Sequence, residues 1–279
     1  LLTLIVVRAY GVAALGDFTL VYALYIILSQ VATGGIHLSV LKYSAEFSAN
    51  FAKRSQILIA GLISAFIVSV AVSITIWLLR DSFVLVYDNR AVGEGLVWTL
   101  PALIWFSLNK TLLAFLNGLR MMKAFAIFQT LRSGLLILSL LILVVVPFDS
   151  AQLTVIFSIS EGALFLVLFP FCLGYVQKSH LQNLQHWMRI HTVFGVKALP
   201  GNLLIEANSR IDIVVLGMFV SSSLVGIYGY AAMAVEGFIQ LMVVVRANVN
   251  PLLTQIYVSE GAEALGTLIR RGRPLAYQF

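Results

Sequence analysis

The chain has 279 residues, of which 60% are hydrophobic and 11% charged, against about a quarter charged in soluble domains. That balance excludes a water-soluble enzyme, and the basic residues behind the net charge of +6 are dispersed instead of forming the single patch of a nucleic-acid binder. The one cysteine, Cys172, has no partner for an internal disulfide and reads as a packed core residue.

Apolar runs of roughly 20 residues match the length a helix needs to cross a bilayer core of about 30 Å. They are too long and too uniform for barrel strands, so the class is all-α integral membrane. In chain order the runs predict a partial span to Val7, then spans near 17–38, 56–79, 96–116, 124–147, 153–174, 197–220 and 224–247. Leu1 to Val7 read as the tail of a span already under way, and Arg270 to Phe279 as a basic loop approaching another. The chain is therefore expected to be a piece of a longer protein.

The connecting loops alternate in charge. One set holds Lys42, Lys53 and Arg54, then Arg120 and Lys123, then Lys178 and Arg189, then Arg270, Arg271 and Arg273. In the other set Arg80 and Arg90 are offset by Asp81, Asp88 and Glu94, Arg8 faces Asp17, Asp149 is alone and Ser221 to Ser223 are neutral. An excess of Lys and Arg marks cytoplasmic loops, which places the first set inside the cell.

Tyr175 to Thr192 is the longest connection and carries Leu181, Leu184 and Met188 at helical spacing beside Trp187, the pattern of a helix lying on the cytoplasmic membrane surface. It separates a first lobe, 1–174, from a linker, 175–196, and the start of a second lobe, 197–279. His180, His186 and His191 lack the spacing of a helical metal pair, so no metal is expected. A weak internal echo supports two lobes. Laying Gly16 of Leu15-Gly-Asp-Phe18 on Gly226 of Val225-Gly-Ile-Tyr228 places Gln30 on Gln240, and the acidic Glu46 and Glu260 follow.

Several of these segments together resemble the polysaccharide-unit (O-antigen, Wzx-type) flippases of the multidrug/oligosaccharidyl-lipid/polysaccharide exporter superfamily. They are Arg8-Ala-Tyr-Gly11 through Leu15-Gly-Asp-Phe18, Gly34-Gly35 with Lys42-Tyr43, Arg210-Ile-Asp212 to Leu216-Gly217, Val225 to Ala232, and Asn250-Pro251. The resemblance covers most of the chain through loose motifs. It implies a two-lobed transporter of six-helix bundles around a central cavity, with about seven full spans and one partial span present here. It also implies a multi-pass protein of the bacterial inner membrane that moves a lipid-pyrophosphate-linked oligosaccharide outward, among membrane lipids and in contact with polysaccharide polymerase machinery.

Ionisable residues inside spans are costly and usually face a wet cavity or each other. Lys110 shares a helical face with Ser107, Ala114 and Asn117, and Arg132 with Gln129 and Leu136; both fall in the cytoplasmic half of their spans, at one depth. Lys110, Arg132 and Arg210 are the expected cationic cavity for a pyrophosphate. Snorkelling to the near interface is the alternative for the first two. For Arg210 it is an ion pair with Glu206 one turn earlier. Glu161, Glu206, Asp212 and Glu236 are candidates for ion pairing or for coupling to H+ or Na+, with Glu161 and Arg132 the first expected pair. Glycines, including Gly34-Gly35, Gly61 and Gly217, allow close helix approach. Pro101, Pro170 and Pro251 are candidate bends, and Pro200-Gly201 is the favoured one.

No Gly-x-x-x-x-Gly-Lys-[Ser/Thr] phosphate loop is present, so no nucleotide cofactor is expected. Short outer loops also argue against a membrane glycosyltransferase or polymerase. Two other transporters compete with the flippase: an exporter of cationic drugs and toxins from the same superfamily, and a flippase of the cell-wall lipid precursor.

Overall fold

The computed structural model describes residues 2–145, 149–177, 183–238 and 266, and these are all-helical. Nine helices have defined limits: α1 (Leu2–Thr33), α2 (Ile36–Glu46), α3 (Phe51–Leu78), α4 (Arg80–Tyr87), α5 (Arg90–Gly118), α6 (Met122–Val145), α7 (Val155–Leu173), α8 (Leu184–Asn208) and α9 (Ile211–Leu216). A 3-10 turn, Ser150–Thr154, leads into α7, and residues 222–238 are helical. The chain divides into two compact units, Leu1–Gly229 and Tyr230–Phe279.

Five helices among the described residues are long and apolar enough to cross a membrane: Thr3–Thr33, Phe51–Leu78, Arg90–Gly118, Met122–Ile142 and Ala151–Leu173. They lie where the apolar runs predict spans, with one difference at the start. The loop expected between Val7 and Asp17 does not form. Instead α1 runs through with a kink at Gly11 (φ 86°, ψ 177°), so the partial first span and the next are one long helix. The expected span 197–220 is divided between α8, which begins before it, and α9. Of the span expected at 224–247, residues 239–247 lie outside the described residues. So do Lys178, His180, Leu181, Gln240, Asn250, Pro251, Glu260, Arg270, Arg271 and Arg273.

Local chemistry accounts for several boundaries. Asn50 caps α3 by accepting from the Lys53 N–H at 3.0 Å, and Asn89 caps α5 by accepting from the Ala91 N–H at 2.9 Å. Gly34 and Gly35 take φ of 54° and 67°, closing α1 and opening α2. They also let α8 cross closely, since a Cβ on Gly195 would overlap the Gly34 carbonyl.

Pro101 removes one N–H from the middle of α5, and Ser158 of α7 repairs the ladder beside it. The Ser158 Oγ donates to the Trp98 carbonyl at 2.7 Å and accepts from the Ala102 N–H at 3.2 Å. Pro200, by contrast, sits inside α8 without ending it. The break in this region falls after Asn208, where Arg210 adopts φ −137° and ψ −8°.

Within Leu1–Gly229, α5 packs against α1, α2, α3 and α7, joined by buried residues such as Leu103, Phe106, Leu112 and Phe115. Among the described residues the loops sort to two ends as their charges predict. At one end a Cβ on Gly118 would contact the Leu41 carbonyl, and the Gln177 N–H donates to Ser55 Oγ at 2.9 Å, so three of the basic corners meet. At the other, Arg80, Asp81, Arg90, Glu94, Asp149 and Gln152 line one cavity of about 600 Å³.

The connection expected to lie wet on the membrane surface is instead held against the bundle from Leu184 onward. Trp187 Nε1 donates to Gln56 Oε1 at 3.1 Å, and His191, fully buried, lies between Ser39 Oγ (2.9 Å) and the Ile57 carbonyl (3.1 Å). Because a carbonyl only accepts, the proton sits on Nε2 and Ser39 donates to Nδ1. His186 is exposed.

Candidate functional site

A cavity of about 820 Å³ runs from the middle of the bundle toward the basic end. Its walls come from α1 and α2 (Tyr22, Gln30, His37), α5 (Phe106, Lys110, Asn117), α6 (Gln129, Arg132), α7 (Phe157, Glu161) and α8 (Glu206). Lys110 and Arg132 therefore share one cavity, as their depths predicted. Each brings its helical neighbours with it, Ala114 and Asn117 for the lysine, Gln129 and Leu136 for the arginine. Ser107 does not follow; its hydroxyl faces the Ala32 and Ala65 carbonyls.

The two cations are held differently. Arg132 pairs with Glu161 through Nη2 (2.5 Å) and Nε (2.6 Å), and its guanidinium lies 4.5 Å from the Phe106 ring centre. The second carboxylate oxygen of Glu161 accepts from Asn109 Nδ2 at 2.9 Å, and the same amide reaches the Glu161 backbone carbonyl at 2.8 Å. Glu161 is 4% exposed, so a buried carboxylate is matched by one cation and one amide, as burial of charge requires.

Lys110 Nζ instead donates to Gln30 Oε1 at 2.5 Å. That oxygen also accepts from Asn202 Nδ2 of α8 at 2.9 Å. No carboxylate lies within ion-pair distance of Lys110 among the described residues. Its one hydrogen bond among the described residues is to a neutral dipole, with the Phe106 ring centre 5.6 Å away and Glu206 acting on it through space, which leaves two of its three N–H donors for a ligand.

Arg210 is not on the wall of this cavity; its guanidinium lies 5.3 Å from the ring centre of Tyr22, which is. Glu206 lies in the last turn of α8, which ends at Asn208, and Arg210 stands between it and α9. Glu206 faces the cavity. Asp212 accepts from Tyr228 Oη at 2.6 Å and from the Ile213 N–H at 2.9 Å. Glu236 is half-buried and belongs to the second unit.

Away from the cavity's basic mouth, a second polar cluster ties three segments together. Asp17 Oδ1 accepts from Asn89 Nδ2 at 2.7 Å and from Ser222 Oγ at 2.6 Å. A Cβ on Gly16 would overlap the Ser222 carbonyl, and one on Gly226 would come within 3.0 Å of the Gly16 nitrogen.

Sequence reasoning had picked out the charged members of the cavity and missed Asn109 and Asn202. The available signals were an amide directly beside Lys110 in an apolar run, and an amide one turn before Glu206 on the same face. Gln30 stood out only through the internal echo. Compared with models of known families, with curated proteins and with solved structures, the chain finds no match in any of the three. Among the described residues no cluster of His, Cys, Asp and Glu is arranged to hold a metal.

Proposed function

We propose that this chain belongs to a two-lobed flippase that carries lipid-pyrophosphate-linked oligosaccharide across the bacterial inner membrane by alternating access. The observation that carries the reading is Lys110. It is a cation on the wall of an 820 Å³ cavity, held by a neutral carboxamide while the neighbouring arginine is neutralised by a carboxylate. A positive charge inside a span calls for an anion, and Glu206 on the same wall acts on Lys110 only through space, without an ion pair. The anion that must pass through such a protein in this reading is a pyrophosphate.

Two further features support it. The cavity extends toward the basic end, where positive-inside charge places the cytoplasm and the cargo's starting leaflet. The two glycines equated by the internal echo, Gly16 and Gly226, touch each other, as residues near a pseudo-two-fold axis between repeats do. Asp17, Asn89 and Ser222 then serve as the outer closure that rocking would open.

Arg132 and Glu161 form the cavity's fixed floor in this scheme, and Arg210 acts from behind Tyr22. Ion coupling falls to Glu206, Asp212 or Glu236, since Glu161 is committed to Arg132. Glu206 on the cavity wall favours the second reading, an exporter of organic cations. A flippase of the cell-wall lipid precursor shares the pyrophosphate chemistry and differs in the sugar.

The test is complementation by the complete gene in cells lacking their own polysaccharide-unit flippase. Restored surface polysaccharide, lost in Lys110→Ala at matched expression, is the expected result. Failure to restore it together with gained resistance to cationic drugs replaces the flippase by the exporter.

A further inference from the structure

Two hydrogen bonds on one oxygen join Lys110 to α8. Lys110 of α5 donates to Gln30 Oε1 of α1 at 2.5 Å, and Asn202 of α8 donates to the same oxygen at 2.9 Å. Glu206 follows Asn202 by four residues, on the same face of α8 and ~6 Å along its axis. It lines the cavity together with Lys110 and acts on it through space. The two do not form an ion pair, and Glu206 belongs to none of the ion pairs among the described residues. The cavity thus holds a cation with donors to spare and a carboxylate that faces it without touching it.

The helix that carries this carboxylate is built in two unlike halves. Before Pro200 it is anchored: Trp187, His191 and Gly195 are buried. His191 is held by Ser39 and the Ile57 carbonyl, and a Cβ on Gly195 would overlap the Gly34 carbonyl. From Pro200 to Asn208 no residue is buried, and Leu204 and Ile205 are 70% and 74% exposed. Between the halves Pro200 lacks the N–H that would bond the Val196 carbonyl, so the ladder is interrupted there. A helix fixed at one end, weakened at one turn and lightly packed beyond it bends at that turn. Asn202 and Glu206 both lie on the side that moves.

Transport gives such a movement a use. A carrier that holds an anion on a cation must also let it go, and binding too strong to leave stops the cycle as surely as binding too weak to enter. Losing the anion costs Lys110 its counter-charge inside a span. A carboxylate of the protein that takes the anion's place offsets that cost, by competing for the same two N–H donors. Arg132 is not open to the same exchange, because Glu161 already holds it.

We propose that Glu206 is the residue that displaces the cargo: bending of α8 at Pro200 brings its carboxylate onto Lys110 Nζ, and the ion pair so formed releases the pyrophosphate. The proposal rests on the flippase reading and adds to it the step that ends a transport cycle, whatever ion is coupled.

The test takes two measurements on the full-length protein. One is the affinity in detergent for a polyprenyl pyrophosphate carrying its sugar; the other is the rate at which the same lipid crosses the bilayer of proteoliposomes. Glu206→Gln keeps the size of the side chain and removes the competitor. It should bind the lipid about three- to tenfold more tightly and move it at least about tenfold more slowly, a split between binding and turnover that a merely structural residue would not produce. Glu206→Asp keeps the charge on a shorter stem. It should bind like wild type and move the lipid several-fold more slowly, and it decides the matter if the glutamine variant does not fold. Tighter binding at an unchanged rate would mean that the charge is felt but not used, and overturns the proposal. Unchanged affinity in a folded Glu206→Gln, weaker binding, or a wild-type rate in Glu206→Asp also overturns it. Wild-type protein that does not bind the lipid at all rejects the flippase reading itself, whereas failure in the variants alone leaves that reading standing.

Discussion

Arg132 meets a carboxylate through two of its nitrogens, and that carboxylate is completed by Asn109. Lys110, on the wall of the same cavity, makes no ion pair among the described residues: it donates to the carboxamide oxygen of Gln30, which it shares with Asn202, and lies 5.6 Å from the Phe106 ring centre, with Glu206 acting on it through space. Both cations cost about the same to bring into a membrane, yet one is cancelled within the protein and the other is only oriented. Identical sequence signals, a single charge in an apolar run, thus resolve into a structural group and a group left with donors for a ligand. The partner decides which is which.

The largest expected effect comes from breaking the paired side. Glu161→Ala leaves Arg132 buried without its counter-charge and should destabilise the protein by about 3–5 kcal/mol, read as a lowered Tm in detergent. Replacing both partners, Arg132→Met with Glu161→Leu, should recover most of that loss. If Glu161→Ala melts like wild type, the pair is not structural and the contrast with Lys110 disappears.

Acid applies the same logic to a buried group with only neutral partners. His191, outside the five spanning helices, is pushed by burial from the ordinary 6.5 down to about 4. Between those values the unfolded chain binds a proton that the folded chain refuses, so stability falls as pH drops from about 6.5 toward 4. The loss is roughly 3 kcal/mol across the window. A series of melts over that range should show the slope, and His191→Asn should flatten it.

The smallest effect tests the neutral side. Asn202→Ala removes one hydrogen bond to Gln30 and should cost about 1 kcal/mol, with Lys110 still seated on the same oxygen. A loss as large as that of Glu161→Ala would mean that the amide cluster is as structural as the ion pair.

The spanning helices were legible in the sequence because a 20-residue apolar run has few other fates. The cations of the cavity were legible for a related reason, since charge in such a run needs an explanation. What escaped was set by contacts between distant segments. Gln30, Asn109 and Asn202 carry no charge to betray them, and the partners of the first and last lie 80 and 172 residues away. Arg54 read only as a marker of the cytoplasmic side, because its burial depends on how Phe51 and the loop at Ser48 fold around it. The start of α1 misled because a glycine beside Arg8 and Asp17 resembles a loop, whereas one residue in an unusual conformation suffices to kink a helix there and continue it.

The most direct measurement is the affinity of the purified full-length protein for a polyprenyl pyrophosphate carrying its sugar, compared between wild type, Lys110→Met and the double variant Arg132→Met with Glu161→Leu. Lys110→Met should weaken binding about tenfold or more while melting like wild type, and the double variant should keep most of the affinity. Affinity lost in the double variant and kept in Lys110→Met would contradict the division of roles between the two cations, and with it the placement of the pyrophosphate on Lys110.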